Sequence, residues 1–434
     1  MELLAFLLFL SIFILILYGF PVAFTLGGIS ILYAFCFLDL SAFAALPSRI
    51  MGVMSNYVLL AVPLFIYMGM MLEKSGLAES LLETMAMLFG KIRGGLAISV
   101  VIVGAMLAAS TGIVGATVIT MGLISLPTML KRGYQPELAT GVIASAGTLG
   151  QIIPPSVVLV LLGSVLNVSV GDLFAAALLP GFLLVVVFIA YIAILAWLKP
   201  EKAPSIPAED IAKFKEKDFV SKIIKAFLLP FLLILAVLGS IFAGLASPTE
   251  AAAVGALGAT ILTTVQGRFD LKTLQSAMRE TTHLTGMVFI ILLGATTFTF
   301  VFREMGGDTF LVQLIETSNL KPMAFLALVM VVVFIAGFFI DFIEIVFIIV
   351  PVVAPIFVQF HIDLIWIGIL LAMNLQTSFL TPPFGFSLFY LKGVAPESVT
   401  TQHLYRGIIP FVIIQVVFLI AIILFPEIVF VFLH

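Results

Sequence analysis

The chain has little charge. Lys, Arg, Asp and Glu make up 10% of its 434 residues, against about 25% in an ordinary soluble domain. No run is basic enough to read as a phosphate-binding patch, and a net charge of −3 gives no case for nucleic acid. There is one cysteine, Cys36, which excludes an intrachain disulfide. The four histidines (His283, His361, His403, His434) are scattered, and no HExxH, GxSxG, Walker or Rossmann pattern occurs. The residues therefore offer no catalytic constellation, no organic cofactor and no ATP-driven energy source, and the chain is read as a non-enzyme. What it has in quantity is apolar surface: 62% hydrophobic residues and a mean hydropathy of +1.30. In lipid, backbone groups must be satisfied within the segment, so this composition predicts an all-α polytopic membrane protein. Met1-Glu2, followed by an apolar run without a basic start or a small-residue cleavage site, reads as a retained first helix rather than a signal peptide.

A spanning helix needs about 20 apolar residues. Candidates lie at 3–18, 21–37, 56–72, 138–166, 173–197, 226–243, 250–266, 282–302, 363–391 and 408–432, with double-length stretches at 94–130 and 323–358. The two Pro-Pro pairs, Pro154-Pro155 and Pro382-Pro383, lie 228 residues apart, and each interrupts a span. The same offset relates Pro127 to Pro355 and Gly27 to Gly255. A proline pair removes two backbone donors, and carbonyls freed in a membrane must find other partners. The first double stretch is flanked by Lys91/Arg93 and Lys131/Arg132, so both its ends read as cytoplasmic. It fits a re-entrant hairpin with its tip near Ser110–Thr117; the second has its tip near Gly337–Glu344. Each half then has five crossings and one hairpin, and an odd count inverts the second half relative to the first. Lys199–Lys225, Arg268, Lys272, Arg279, Lys392 and Arg406 fall on the cytoplasmic side, while Arg49 and Arg303 are exceptions. Segments 40–54, 76–90, 268–282 and 304–318 read as interfacial arms.

Chemistry concentrates at the breaks and tips. A Pro-Pro kink in a bundle helix is the plainer reading of either break. Flanking Gly and hydroxyls, repeated at one offset, favour a site in which unwound carbonyls and Ser/Thr oxygens replace a cation's hydration shell, with half-helix N-termini facing an anion. At the first tip, Ser110, Thr111, Gly115 and Thr117 offer hydroxyls and close backbone approach, although small-residue helix packing would use the same residues. Asp341 and Glu344 at the second tip are intramembrane acids, which are costly and suggest an ion or proton role; snorkelling at a periplasmic mouth is the alternative. Ser247-Pro248-Thr249-Glu250 reads as a helix start. With no Lys or Arg near a tip or break, a carboxylate substrate would be held by amides, hydroxyls and co-bound cations.

Lys-Arg-Gly-Tyr (131–134), Ala-Gly-Thr-Leu-Gly-x-Ile-Ile-Pro-Pro-Ser (146–156), Pro-Thr-Glu-Ala-Ala-Ala-Val-Gly-Ala (248–256) and Thr-Pro-Pro-Phe-Gly-Phe-Ser-Leu-Phe (381–389) follow the first hairpin in order. Over essentially its whole length the chain resembles the large, DctM-like membrane subunit of TRAP (tripartite ATP-independent periplasmic) transporters. The resemblance implies an elevator-type importer of organic acid anions in the bacterial inner membrane, with Na+ as coupling ion. It also implies two separate partners, a small four-helix membrane subunit (Q type) and a periplasmic substrate-binding protein (P type), besides membrane lipid. Cation-binding positions carry over onto Ser110, Thr111, Gly112 and Gly115 with Gly147, Thr148, Gly150 and Pro154, and onto Gly337, Phe339 and Asp341 with Thr377, Ser378, Thr381 and Pro382. Substrate would meet Thr117, Pro155, Ser156, Glu344, Gln376, Pro383 and Gly385. The first tip departs from the family's Ser-Gly-Ser pattern, reading Ser110-Thr111-Gly112. The second tip and Asn374–Phe379 resemble a branch associated with 2-oxo or hydroxy monocarboxylates; C4-dicarboxylates and sugar acids stay open. The expected division is scaffold at 1–93 and 226–322, transport domain at 94–197 and 323–434, and a cytoplasmic linker at 198–225. A stand-alone sodium/anion symporter is the alternative, and an intramembrane aspartyl protease lacks a second Asp to pair with Asp341.

Overall fold

Apolar runs set the helices, and Gly, Pro, Asn and Asp end or start them. The computed structural model describes residues 2–111, 114–215, 219–318 and 320–433. Its first half holds α1 (Glu2–Leu17), α2 (Val22–Phe37), α3 (Leu46–Met54), α4 (Ala61–Lys74), α5 (Leu77–Phe89), α6 (Gly95–Thr111), α7 (Val114–Lys131), α8 (Pro136–Thr148), α9 (Val157–Leu166) and α10 (Val170–Leu198). The linker carries α11 (Ala208–Lys215) and α12 (Phe219–Ile223). The second half holds α13 (Leu229–Phe242), α14 (Pro248–Val265), α15 (Leu271–Glu304), α16 (Gly307–Ser318), α17 (Pro322–Ala336), α18 (Phe342–Ile348), α19 (Val350–Gln359), α20 (Leu364–Leu380), α21 (Phe386–Val394), α22 (Thr401–Leu424) and α23 (Glu427–Phe430). The described residues contain no strand.

Shifted by 228, the bounds of α2, α7, α8 and α9 fall on α14, α18–α19, α20 and α21. Side-by-side packing is reciprocal: α2 lies on α15 while α14 lies on α4, and α21 lies on α7 while α9 lies on α18 and α19. Small residues allow the approach. A Cβ on Gly294 would come within 2.5 Å of the Ala23 carbonyl, and one on Gly255 within 2.7 Å of Met68 Sδ.

Both double-length stretches fold back as hairpins. α6 packs along α7. In the second hairpin, Phe325 near the start of α17 meets Phe357 and Phe360 at the far end, with ring centroids 5.1 and 5.9 Å apart, and α18 and α19 are bent by 50°. Among the described residues six helices are long and apolar enough to cross a membrane alone, or seven with that bent pair as one span. α1 and α2 have 16 residues each, and the proline-broken spans are split into pieces, so they fall short of that length individually.

The halves differ at one point. Segments 268–282 and 282–302, separate by hydropathy, form one 34-residue helix, α15. Their counterparts stay apart because the Asn56 side chain accepts a hydrogen bond from the Val58 amide at 3.0 Å and starts a new turn, the usual competition between Asn and helix. Ser247 and Glu250 form a capping box that opens α14, as the sequence predicts. The linker is less free than its polarity suggests. The amides of Gly94 and Gln135 donate to the Ala203 and Lys202 carbonyls at 2.9 and 3.0 Å, and Ile206 donates to Gly90 at 2.8 Å. Arg132 pairs with Asp210. The linker is thereby strapped across the base of the first hairpin.

Candidate functional site

At the first break α8 gives way to a 3-10 turn over Leu149–Gln151, and residues 152–156 are not helical before α9 begins. Thr148, Gly150, Pro154, Pro155 and Ser156 are all buried there. Thr148 Oγ1 donates to the Ser145 carbonyl at 2.9 Å, and Ser156 Oγ to the Gln151 carbonyl at 3.0 Å. Each hydroxyl proton is thus engaged, while the oxygen keeps lone pairs for a cation. A Cβ on Gly147 would lie 2.3 Å from Val118 Cγ2, so this turn sits directly on the second arm of the first hairpin, beside buried Thr117. Ser110, Thr111 and Gly112, three of the expected cation ligands, lie outside the residues whose side chains are described.

The second break runs over 381–385, between α20 and α21, and is more open: Thr381 and Pro382 are half-buried, Pro383 is exposed and Gly385 is buried. Thr377, Ser378 and Thr381 donate their hydroxyl protons to the carbonyls of Met373, Leu375 and Thr377 at 2.8–2.9 Å. Tyr405 OH donates to the Pro383 carbonyl at 2.7 Å. Both Pro-Pro bonds are cis. The second tip rests on this break. A Cβ on Gly337 would come within 2.1 Å of Ser378 Oγ. Phe339 packs against Phe384, with centroids 5.0 Å apart and the rings tilted by 47°, and the Phe342 ring lies 6.3 Å from that of Phe379.

Asp341 and Glu344 have a local duty here. They form a capping box at the start of α18: the Asp341 carboxylate accepts from the Phe342 amide at 2.7 Å, and Glu344 from the Asp341 amide at 3.3 Å. Asp-x-x-Glu ahead of an apolar run is the spelling of that motif, a signal the intramembrane-acid reading overlooks. Three fully buried glutamines lack a hydrogen-bond partner among the described residues, Gln415 on α22 and two beside the breaks. Gln151 and Gln376 are fully buried, and neither amide atom of either side chain has a hydrogen-bond partner in the protein. Buried polar groups are nearly always satisfied, so these amides mark where water or a ligand belongs. Gln376 is one of the substrate positions that the resemblance implies; Gln151 is not among them.

The breaks and tips are neighbours. A Cβ on Gly115 of the first hairpin would lie 3.0 Å from the Tyr390 ring on α21. From Tyr390 the rings of Phe386, Phe379 and Phe342 follow at centroid spacings of 6.4, 5.3 and 6.3 Å, ending at the second hairpin. Ser387 Oγ donates to the Ala144 carbonyl at 3.3 Å, joining the two broken helices, and the 3-10 turn at Leu149–Gln151 packs on α20. Hydroxyl oxygens, unwound carbonyls and half-helix amides thus collect around both hairpin ends with no Lys or Arg among the assigned residues. Such a neighbourhood can hold an ion and a small polar molecule, and among its described residues no nucleophile is paired with a base.

A helical membrane protein whose broken helices meet the ends of two hairpins belongs to the class of membrane transporters. The family model described as "Tripartite ATP-independent periplasmic transporter, DctM component" matches residues 9–428. The chain is 31% identical to the C4-dicarboxylate TRAP transporter large permease protein DctM of Vibrio cholerae, over 97% of this chain and 95% of that one. It is 33% identical to the protein of the same name from Pseudomonas aeruginosa, over 86% and 85%. The YdaH transporter of Alcanivorax borkumensis shares the fold, with a TM-score of 0.64 and 14% identity over 90% of each chain. The chain belongs to the TRAP transporter family as a large permease subunit, and it is a multi-pass protein of the bacterial inner membrane.

Proposed function

We propose that this permease imports an organic acid anion by coupling it to inward sodium flow, receiving the anion from a periplasmic binding protein and working with a small membrane subunit. The observation that carries the reading is the convergence of two broken helices and two hairpins on one oxygen-lined neighbourhood, where Gly337 meets Ser378 and Gly147 meets Val118. In this reading Thr148, Gly150 and Pro154 hold one cation with the first tip (Ser110, Thr111, Gly112, Gly115). Thr377, Ser378, Thr381 and Pro382 hold another with Gly337, Phe339 and Asp341. Cation binding orders the tips; the anion then docks between them against Thr117, Ser156, Gln376 and the backbone of Pro155, Pro383 and Gly385, with Glu344 at the edge. The reciprocal packing at an offset of 228 supports two repeats of inverted topology. On that basis 94–197 and 323–434 move as one body against 1–93 and 226–322, carrying the site across by an elevator stroke. The DctM relatives are named for C4-dicarboxylates, which makes succinate the first substrate to try, with lactate and pyruvate beside it.

The test is uptake of these labelled acids into proteoliposomes holding the chain and its small subunit, with the binding protein outside and with or without an inward sodium gradient. Uptake should need sodium and both partners. Sodium-driven uptake that persists without the binding protein would replace this reading with a stand-alone symporter.

A further inference from the structure

Arg49 and Arg303, with Lys321 at the mouth of the second hairpin, run against the cytoplasmic bias of the chain's basic residues, and the structure brings the two arginines to one place. They line a cavity of ≈ 720 Å³ that contains no residue of either break or tip. One wall is a stripe of α15 that includes Thr296, Thr299 and Arg303, a second is a stripe of the second hairpin from Phe347 to Val358, and α3 with Arg49, Asn56 just beyond it and the end of α9 at Ser164 complete the lining. Phe347 lies one helical turn beyond Glu344, so the cavity runs along the arm that leads to the tip. Its polar groups besides the arginines are hydroxyls, amides and the Glu304 carboxylate, and Asn56 Nδ2 donates across it to Ser164 Oγ at 3.2 Å. The counter-charges are Glu304 in the lining and Asp308, which takes Arg303 Nε at 3.2 Å. Among the described residues that pairing leaves the two terminal guanidinium nitrogens of Arg303 free of ion pairs, and Arg49 makes none. A guanidinium fork fits a carboxylate, and in the site itself no Lys or Arg is at hand.

We propose that this cavity is a receiving vestibule for the carboxylate: Arg49 and Arg303 hold the anion on arrival, and the Thr296–Thr299 wall leads it toward the second tip. This rests on the transport reading above, so one readout is independent of transport. In a Cys36→Ala, Thr299→Cys chain, the thiol's reaction rates with an anionic and a cationic methanethiosulfonate reagent report the local potential. The anionic reagent should be favoured, and Arg49→Gln with Arg303→Gln should lower the anionic-to-cationic ratio about tenfold; Arg49→Lys with Arg303→Lys should largely keep it, which controls for misfolding. In complete proteoliposomes the double Gln variant should need about tenfold more succinate-loaded binding protein for half-maximal uptake. An unchanged thiol ratio overturns the vestibule. If uptake then still falls, the arginines touch the binding protein instead. Parent proteoliposomes without sodium-driven uptake of succinate, lactate or pyruvate would sink the transport reading alone, leaving the thiol ratio to judge the cavity.

Discussion

Gln376 is the residue at which a fold role and a ligand role can be separated. Its amide is buried without a protein partner, which costs about 1–3 kcal/mol if nothing else satisfies it. Methionine has nearly the same shape and no donor or acceptor of comparable strength. Gln376→Met should therefore leave the melting temperature unchanged or raised, while anion uptake falls at least about tenfold; a drop in melting temperature with uptake intact would make the amide structural. Neighbouring residues show why single side chains were only partly legible in the sequence. Thr148, Ser378 and Thr381 stood out because they flank a proline pair, and they do line the breaks. Gln151 did not, because an amide beside a turn has no spacing rule; only its burial shows it. Asp341 was legible as a costly acid, but its bond to the Phe342 amide depends on the local start of α18, which the hydropathy of the surrounding run conceals.

Helices were far more legible, since a run of about 20 apolar residues in lipid has few alternatives. Both hairpins, both breaks and the helix start at Ser247 follow from glycines, prolines and flanking basic residues. The long helix α15 did not, because nothing in hydropathy distinguishes an arm followed by a span from one continuous helix. What starts α15 is Asp270, exposed, with its carboxylate accepting from the Thr273 amide. That bond holds the carboxyl below its usual range. A depressed carboxyl contributes stability that is present above the unfolded pKa and is lost as pH falls through the folded one. Asp270→Ala should thus melt lower than the parent at neutral pH in detergent, and the gap should close as the pH drops below ~4. A gap that persisted in acid would mean that Asp270 acts by packing rather than by charge.

For the whole molecule, the proposed stroke requires contacts between the two bodies to break. Two such contacts are side-chain hydrogen bonds: Asn56 to Ser164 at 3.2 Å, and Thr120 to Glu73 at 2.9 Å. In a Cys36→Ala background, Asn56→Cys with Ser164→Cys bridged by a short, reducible bifunctional thiol reagent should stop uptake, and reduction should restore it. Full uptake in the bridged protein would mean that these two segments travel together, and the division into bodies would have to be redrawn. The reciprocal packing of α2 on α15 and α14 on α4 also bears on how the protein is made. When α2 leaves the ribosome, α1 is already beside it, but α15 is still some 250 residues from being synthesised. At cellular elongation rates that is a wait of roughly 10–50 s. During that time the small-residue face of α2 is covered by acyl chains, which are as apolar as the helix they displace. That face of α2 therefore spends its first moments solvated by lipid, with α1 as its protein neighbour, and the insertion machinery must keep the first half together until the second arrives.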